Sequence, residues 1–398
     1  MKKKSLNSIL PFVLLCIFIC SCTEQYALQT NTFENALVVE ATITNELKKQ
    51  QIKITRTYRL EEVKPTIESG ATVTVTDNEN NKYLFELKDS VYVSQTDFQA
   101  VSGRKYRLDI TTDEGKSYYS TPQTLTTANE IQSIDATVET INGDRGVEIN
   151  VNSYDPSGTS KYYRYEYEET YKIIAPNWDD EMTRLAPLQP GEVHQGIMIL
   201  PRTKETKTCY TTKKEDYIIL SSTNDLIEDR VRFPIRFISN KNYIISYRYS
   251  ILVRQYIQTI EAYTFYKTLK KISGSESILS QNQPGFFYGN LKSSDNPNEK
   301  VIGFFEVSSV SSKRIFFNYA DLFPKEPLPP YFIDCTERVY TDCFNPTPEC
   351  NGGALRSAIS GNLLVHLSNN GKTYLMVPPP CGDCTSFSSN IKPTFWID

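Results

Sequence analysis

The tightest constraint on this chain is a succession of short segments in which apolar and polar residues alternate. Gln51-Ile52-Lys53-Ile54-Thr55-Arg56-Thr57-Tyr58 is one such run, and Ala71-Thr72-Val73-Thr74-Val75-Thr76 is another. A period of two sends successive side chains to opposite faces, so each run suits a half-buried strand and not a helix. Leu37-Val38-Val39-Glu40-Ala41-Thr42-Ile43 begins the series. The turn Asp77-Asn78-Glu79-Asn80-Asn81 leads into Tyr83-Leu84-Phe85-Glu86-Leu87, as a hairpin requires. Two further runs, 106–110 and 116–120, flank the turn Asp113-Glu114-Gly115. About seven strands in about 90 residues predict an immunoglobulin-like β-sandwich over residues 35–126.

A second strand series starts at Ile131, beyond a boundary at 124–129. It continues through 146–151, 162–168, 217–220, 231–237 and 243–250, with residues 172–207 reading as an insertion. Residues 127–334 are therefore expected to form a second, β-sandwich-like domain. One long helix is expected at 252–273, with Gly274 as its stop. Val253, Tyr256, Ile257, Ile260 and Tyr263 recur at helical spacing, and the stripe then shifts to Ala262, Phe265, Tyr266 and Leu269. A drifting stripe implies contact with two surfaces, and packing between two domains is favoured over a partner-binding face. The fold class is mainly β, and the 26 tyrosines and 19 phenylalanines suit it.

The N-terminus gives an address. Lys2, Lys3 and Lys4 precede the apolar run Ile9–Cys20, which is shorter than the about 20 residues a spanning helix needs. Ile19-Cys20-Ser21-Cys22 then supplies an aliphatic residue, a small residue and a cysteine in lipobox order. Residues 1–21 are read as a lipoprotein signal peptide, Cys22 as the lipid-bearing first mature residue, and 22–34 as a tether. The competing reading is an ordinary signal peptide with incidental cysteines. Cleavage removes three lysines and no acid, so the mature chain is more acidic than the full chain's net −4. That balance disfavours nucleic acid as a partner. Stable attachment by more than one acyl chain points to the membrane as the partner of the N-terminus.

Cysteine use supports a compartment beyond the cytoplasm. Cys209, Cys335, Cys343, Cys350, Cys381 and Cys384 make an even set, and three disulfides are the expected reading with the pairing open. Five of these lie in the Pro-rich segment 335–398, where staples compensate for a thin core. Cys381 is expected to pair within that segment or with Cys209. The Cys381-Gly382-Asp383-Cys384 motif lacks the helical context of a redox pair, and the other spacings do not form a second zinc knuckle.

No catalytic spacing stands out. His194 and His366 belong to no paired metal motif and read as solvated or structural. Gly274-Ser275-Glu276-Ser277-Ile278 lacks the last glycine of a hydrolase elbow, and Gly115-Lys116-Ser117 is better read as a hairpin turn than a phosphate loop. Asp179-Asp180-Glu181 lacks the alternating oxygens of a calcium loop and reads as a solvated acidic turn. No metal or cofactor is expected. Tyr163, Tyr165, Tyr167, Trp178, Phe287 and Tyr288 are candidates for an aromatic binding surface, against the alternative that each is strand core.

Several motifs resemble a lipoprotein family, domain of unknown function 4249. They are the run from Tyr247 to Tyr256, Glu261-Ala262-Tyr263-Thr264-Phe265-Tyr266, Gln283-Pro284 with Gly289-Asn290, and Asn298 to Phe305. Lys313-Arg314-Ile315-Phe316-Phe317 and the terminal cysteine pair with Asn390 to Trp396 also fit. The similarity runs from about residue 24 to the C-terminus. It implies an outer-membrane lipoprotein of Bacteroidetes-type bacteria, with an immunoglobulin-like or carboxypeptidase-regulatory-like first domain and a TonB-dependent β-barrel receptor as partner. It transfers no catalytic residue. The expected function is a non-enzymatic accessory or ligand-capture subunit, with the ligand and the membrane leaflet open. A structural or adhesive lipoprotein and a surface hydrolase are the alternatives.

Overall fold

The computed structural model describes residues 35–58, 62, 64–273, 288–344 and 350–398. Cys22 and Phe287 lie outside the described residues. Strands dominate. The first eight are β1 Leu37–Thr44, β2 Gln51–Arg56, β3 Thr72–Asp77, β4 Lys82–Lys88, β5 Val91–Ser94, β6 Lys105–Thr111, β7 Ser117–Ser120 and β8 Gln123–Thr124. Next come β9 Ile131–Ile141, β10 Asp144–Asp155, β11 Tyr162–Ile174, β12 Glu181–Leu185, β13 Ile197–Pro201, β14 Thr208–Lys214, β15 Ile219–Ser222, β16 Asp229–Ser239 and β17 Arg248–Gln258. After the helix Ile260–Ser273 follow β18 Leu291–Ser293, β19 Val301–Ser308, β20 Val310–Asn318, β21 Arg338–Thr341, β22 Val365–Asn370 and β23 Thr373–Val377.

The first body is one continuous sheet in the order β18-β7-β6-β3-β4-β5-β2-β1-β19. The alternating runs place Val39, Ala41, Ile43, Ile52, Ile54, Val73 and Val75 in a single core with Tyr106, Leu108 and Ile110. Its two edges come from far downstream. β19 pairs parallel to β1, and β18 pairs antiparallel to β7. The edges then meet. The Asn290 side chain accepts from the Phe305 amide and donates to the Phe305 carbonyl, both at 2.8 Å, standing in for a strand ladder. The approach is so close that a Cβ on Gly289 would sit 1.5 Å from the Gly303 carbonyl oxygen. Residues 35–126 therefore do not complete this body alone; residues 288–308 close it.

The second body is a sandwich. A three-stranded sheet, β16-β10-β9, faces the sheet β14-β11-β17-β20, on which β15 also pairs with β11. Val147, Ile149 and Val151 of the first sheet pack against Tyr163, Tyr165, Tyr249, Ile251 and Val253 of the second. The helix expected at 252–273 is corrected here: residues 252–258 belong to β17, and the helix is Ile260–Ser273. β17 lies between β11 and β20 and is covered on both faces, so its apolar residues lose the clean period of two that marks a half-buried strand. The true helix does bridge two surfaces. Phe265 meets Phe304 of the first body at 5.6 Å between ring centres, and Tyr266 lies over Arg164 of the second.

The insertion within residues 172–207 forms the hairpin β12–β13, and it packs against the C-terminal segment. Leu185, Ile197 and Ile199 join Leu355, Ile359, Tyr374 and Met376 in a third, small core. Three disulfides staple this end: Cys209–Cys384, Cys335–Cys381 and Cys343–Cys350. Cys381 thus pairs within the C-terminal segment, and its neighbour Cys384 makes the tie to β14. The last residues clasp the second body, with Trp396 buried against Tyr210 and Phe316 and the Arg314 guanidinium 3.6 Å from the Phe395 ring centre.

Candidate functional site

Among the described residues, the candidates Tyr163, Tyr165 and Tyr167 do not form an exposed aromatic surface. Tyr163 and Tyr165 are fully buried and Tyr167 nearly so, all in the sandwich core. The reason is the alternation of Tyr162-Tyr163-Arg164-Tyr165-Glu166-Tyr167-Glu168 on a strand covered on both sides. Tyr163, Tyr165 and Tyr167 face the second body's core, and the charges lie on the opposite face, where Arg164 reaches Glu306 of the first body and Glu168 pairs with Arg314. Trp178 is half-buried; its indole N–H donates to Thr206 at 2.9 Å and Lys207 lies over its ring. Tyr288 alone of the described candidates is well exposed, beside a cleft of about 520 Å³ that Phe265, Phe304 and Lys292 also line.

The charges on the other face of β11 build the site. Arg164 is buried at the seam between the two bodies, where its guanidinium donates to Glu306 of β19 and to Glu166, each at 2.6 Å. The rings of Tyr256 and Tyr266 cover it at 4.2 and 4.9 Å. Glu306 also accepts from Thr42 at 3.0 Å and from Gln258 at 2.9 Å. Burial alone would drive protons off Arg164, yet Glu306, Tyr266 and Glu166 reverse that and raise its pKa well above the ordinary value. Burial likewise disfavours the Glu166 carboxylate, but Arg164 and Lys214 outweigh it and lower the Glu166 pKa.

Above this network the seam opens into a cleft of about 370 Å³. Thr42, Thr44, Lys48 and Lys49 line it from the first body, and Glu166, Glu168, Lys214, Arg254 and Tyr256 from the second. Arg254 pairs across the seam with both carboxylate oxygens of Glu46 at 3.2 Å. Lys214 pairs with Glu166 at 3.5 Å, and Lys49 donates to the Gln95 carbonyl at 2.8 Å. The size and the position between domains are those of a small-ligand site. Every acid in it with a lowered pKa is held ionised, which suits binding and not proton donation.

The sequence matches the family described as Domain of unknown function (DUF4249) over residues 23–314. The chain belongs to this family. The match takes in both β bodies and the cleft between them, while the C-terminal cysteines and the Asn390–Trp396 motif lie beyond it. Among the curated proteins none matches the chain significantly. Of the solved structures, the B domain of a biofilm associated protein is similar at 8% identity, covering 74% of this chain and 90% of its own, with a TM-score of 0.16.

In this DUF4249 chain, the family motifs map onto the seam. The Tyr247–Tyr256 motif falls, from Arg248 on, in strand β17, whose Arg254 and Tyr256 line the cleft. Glu261–Tyr266 is the helix turn that lays Tyr266 over Arg164. Gly289-Asn290 and Gly303 are the closure of the first body. Gln283-Pro284 lies outside the described residues. Arg164, Glu166 and Glu306 escaped sequence reasoning, although a charged residue at every second position of an otherwise aromatic strand was a visible signal of a second buried face. The two histidines separate: His194 stacks on Phe344 at 5.1 Å, and His366 is buried near Asp179. Among the described residues no helix is long and apolar enough to cross a membrane.

Proposed function

We propose that this protein is a lipid-anchored, non-catalytic envelope protein that captures a polar ligand or covers the mouth of a TonB-dependent β-barrel receptor. The observation that carries the reading is the cleft at the seam, which is rimmed by Lys48, Lys49, Lys214 and Arg254 and floored by a paired ionic network. A cavity of this kind, already formed between two packed bodies, loses little entropy on binding. Its acids are already engaged by arginine and lysine, which supports recognition rather than hydrolysis. The lipobox cysteine, Cys22, supports an anchor in the outer membrane.

The test is purification of the native lipoprotein from membranes in mild detergent. The expected result is co-elution of a barrel receptor, with Cys22→Ala releasing the protein from the membrane fraction. Recovery from intact membranes with no barrel protein attached would count decisively against the proposal.

A further inference from the structure

A histidine with a buried, unpartnered nitrogen sits opposite two carboxylates at the join between the insertion and the C-terminal segment. Asp179 precedes β12, Glu181 begins it, and His366 lies on β22. One imidazole nitrogen and one oxygen from each acid lie within 4.8 Å of one another. The sequence separates these residues by more than half the second body and the closing strands, and the fold reunites them.

His366 is 1% exposed, and its Nδ1 has no hydrogen-bond partner. Nε2 lies 3.3 Å from the Asn369 side-chain oxygen. If Nε2–H donates to that acceptor, the lone pair is on Nδ1, which points to Asp179 Oδ1 at 3.7 Å. That is the outer-shell arrangement that orients a metal-binding imidazole. Among the described residues no lysine or arginine pairs with Asp179 or Glu181. The Arg202 guanidinium, which reaches this turn, donates to the Glu181 carbonyl at 3.2 Å and to Asp383 at 3.1 Å.

We propose that Asp179, Glu181 and His366 bind a first-row divalent metal ion, zinc foremost, that clamps the β12–β13 hairpin to the C-terminal segment. An imidazole with two carboxylates selects such ions over calcium and magnesium, which take oxygen ligands. Zinc bonds of about 2.0 to 2.2 Å bring ligand atoms to roughly 3.5 Å of each other. The 3.7 Å pair is close to that spacing, and the exposed Glu181 side chain supplies the remaining movement. Three protein ligands leave a fourth position for water. The alternative is a purely structural contact between His366 and Asp179, with no ion bound.

The test uses the full chain, oxidised, without a histidine tag and stripped by chelator. Zinc chloride is titrated calorimetrically, and cobalt chloride by visible absorption. We expect one metal per chain, a rise in Tm on adding zinc, and a cobalt spectrum of low coordination number. Asp179→Asn and Glu181→Gln, both at accessible positions, should weaken zinc at least roughly 10-fold, and Asn369→Ala about as much, since outer-shell partners are worth about 10- to 100-fold. His366→Gln should abolish binding; if it fails to fold, the two carboxylate variants decide. No stoichiometric binding, or binding indifferent to Asp179→Asn and Glu181→Gln, overturns the proposal.

Discussion

Replacing Glu306 by alanine should loosen the two β bodies from each other. Its carboxylate takes hydrogen bonds from Arg164 at 2.6 Å, Gln258 at 2.9 Å and Thr42 at 3.0 Å, all at a buried seam. Truncating one member of a buried ion pair costs about 3 to 5 kcal/mol, because the other charge is left without its partner. Arg164 here keeps Glu166 on its other nitrogen and two tyrosine rings on its faces, contacts worth about 0.5 to 2 kcal/mol when desolvated. The expected loss is therefore at the lower end, about 3 kcal/mol. Glu306→Gln should cost less, about 1 to 2 kcal/mol. Its oxygen still accepts from Arg164, and its amide meets Gln258, whose own Oε1 has no partner and can turn to accept. Urea unfolding of the full chain, followed by circular dichroism and by fluorescence of Trp178 and Trp396, reads both values as shifts of the first transition. A loss below about 1 kcal/mol for Glu306→Ala, or equal losses for the two variants, would refute the view that the seam is held by a buried, satisfied charge.

Other expectations follow from the same geometry. The Glu166 pKa is lower folded than unfolded, so its contribution is complete above about pH 4.3 and is lost as pH falls through the folded value; acid titration of Tm should show stability falling below that pH, and Lys214→Met should blunt that dependence. Chain entropy ranks the disulfides by the loop each closes: paired serine substitutions should cost at most about 5 kcal/mol at Cys209–Cys384, about 4 at Cys335–Cys381 and about 2 at Cys343–Cys350, measured by calorimetry. The loops span separations of 175, 46 and 7 residues, and a reversed ranking would show that native-state contacts, not loop closure, decide. Gly303→Ala places a Cβ 2.1 Å from the Val39 carbonyl oxygen at a φ of +142°, so it should unseat β19 and expose the first core to dye binding.

What the sequence announced and what it concealed divide along physical lines. Strands with one wet face, such as β2 and β3, carried their own period and were legible residue by residue. β17 was not, because a strand covered on both faces has no reason to alternate, and its apolar residues fell at helical intervals by chance. The six cysteines announced their bonding but not their partners, since pairing depends on where β14 lies relative to the last turn. Tyr163, Tyr165 and Tyr167 looked like a recognition surface only while the sheet opposite them was unknown. The seam was hardest to foresee. Arg164 and Glu306 are 142 residues apart, and no local pattern joins them.

That long reach also explains why the chain is organised as it is. The first body lacks both edges until residues 288–308 arrive, and those residues come only after every strand of the second sandwich except β20. An open sheet with two unpaired edges is a template for wrong pairing, so closure by β18 and β19 removes a hazard as well as burying Leu291, Val301 and Phe305. The strand that closes the sheet is also the strand that carries Glu306. Completing the first body therefore delivers the carboxylate that Arg164 of the second body requires. Closure of the sheet and docking of the two bodies are therefore coupled through one strand, β19. A cleft made this way is complete only once β19 is in place, a property that suits the proposed role in ligand capture.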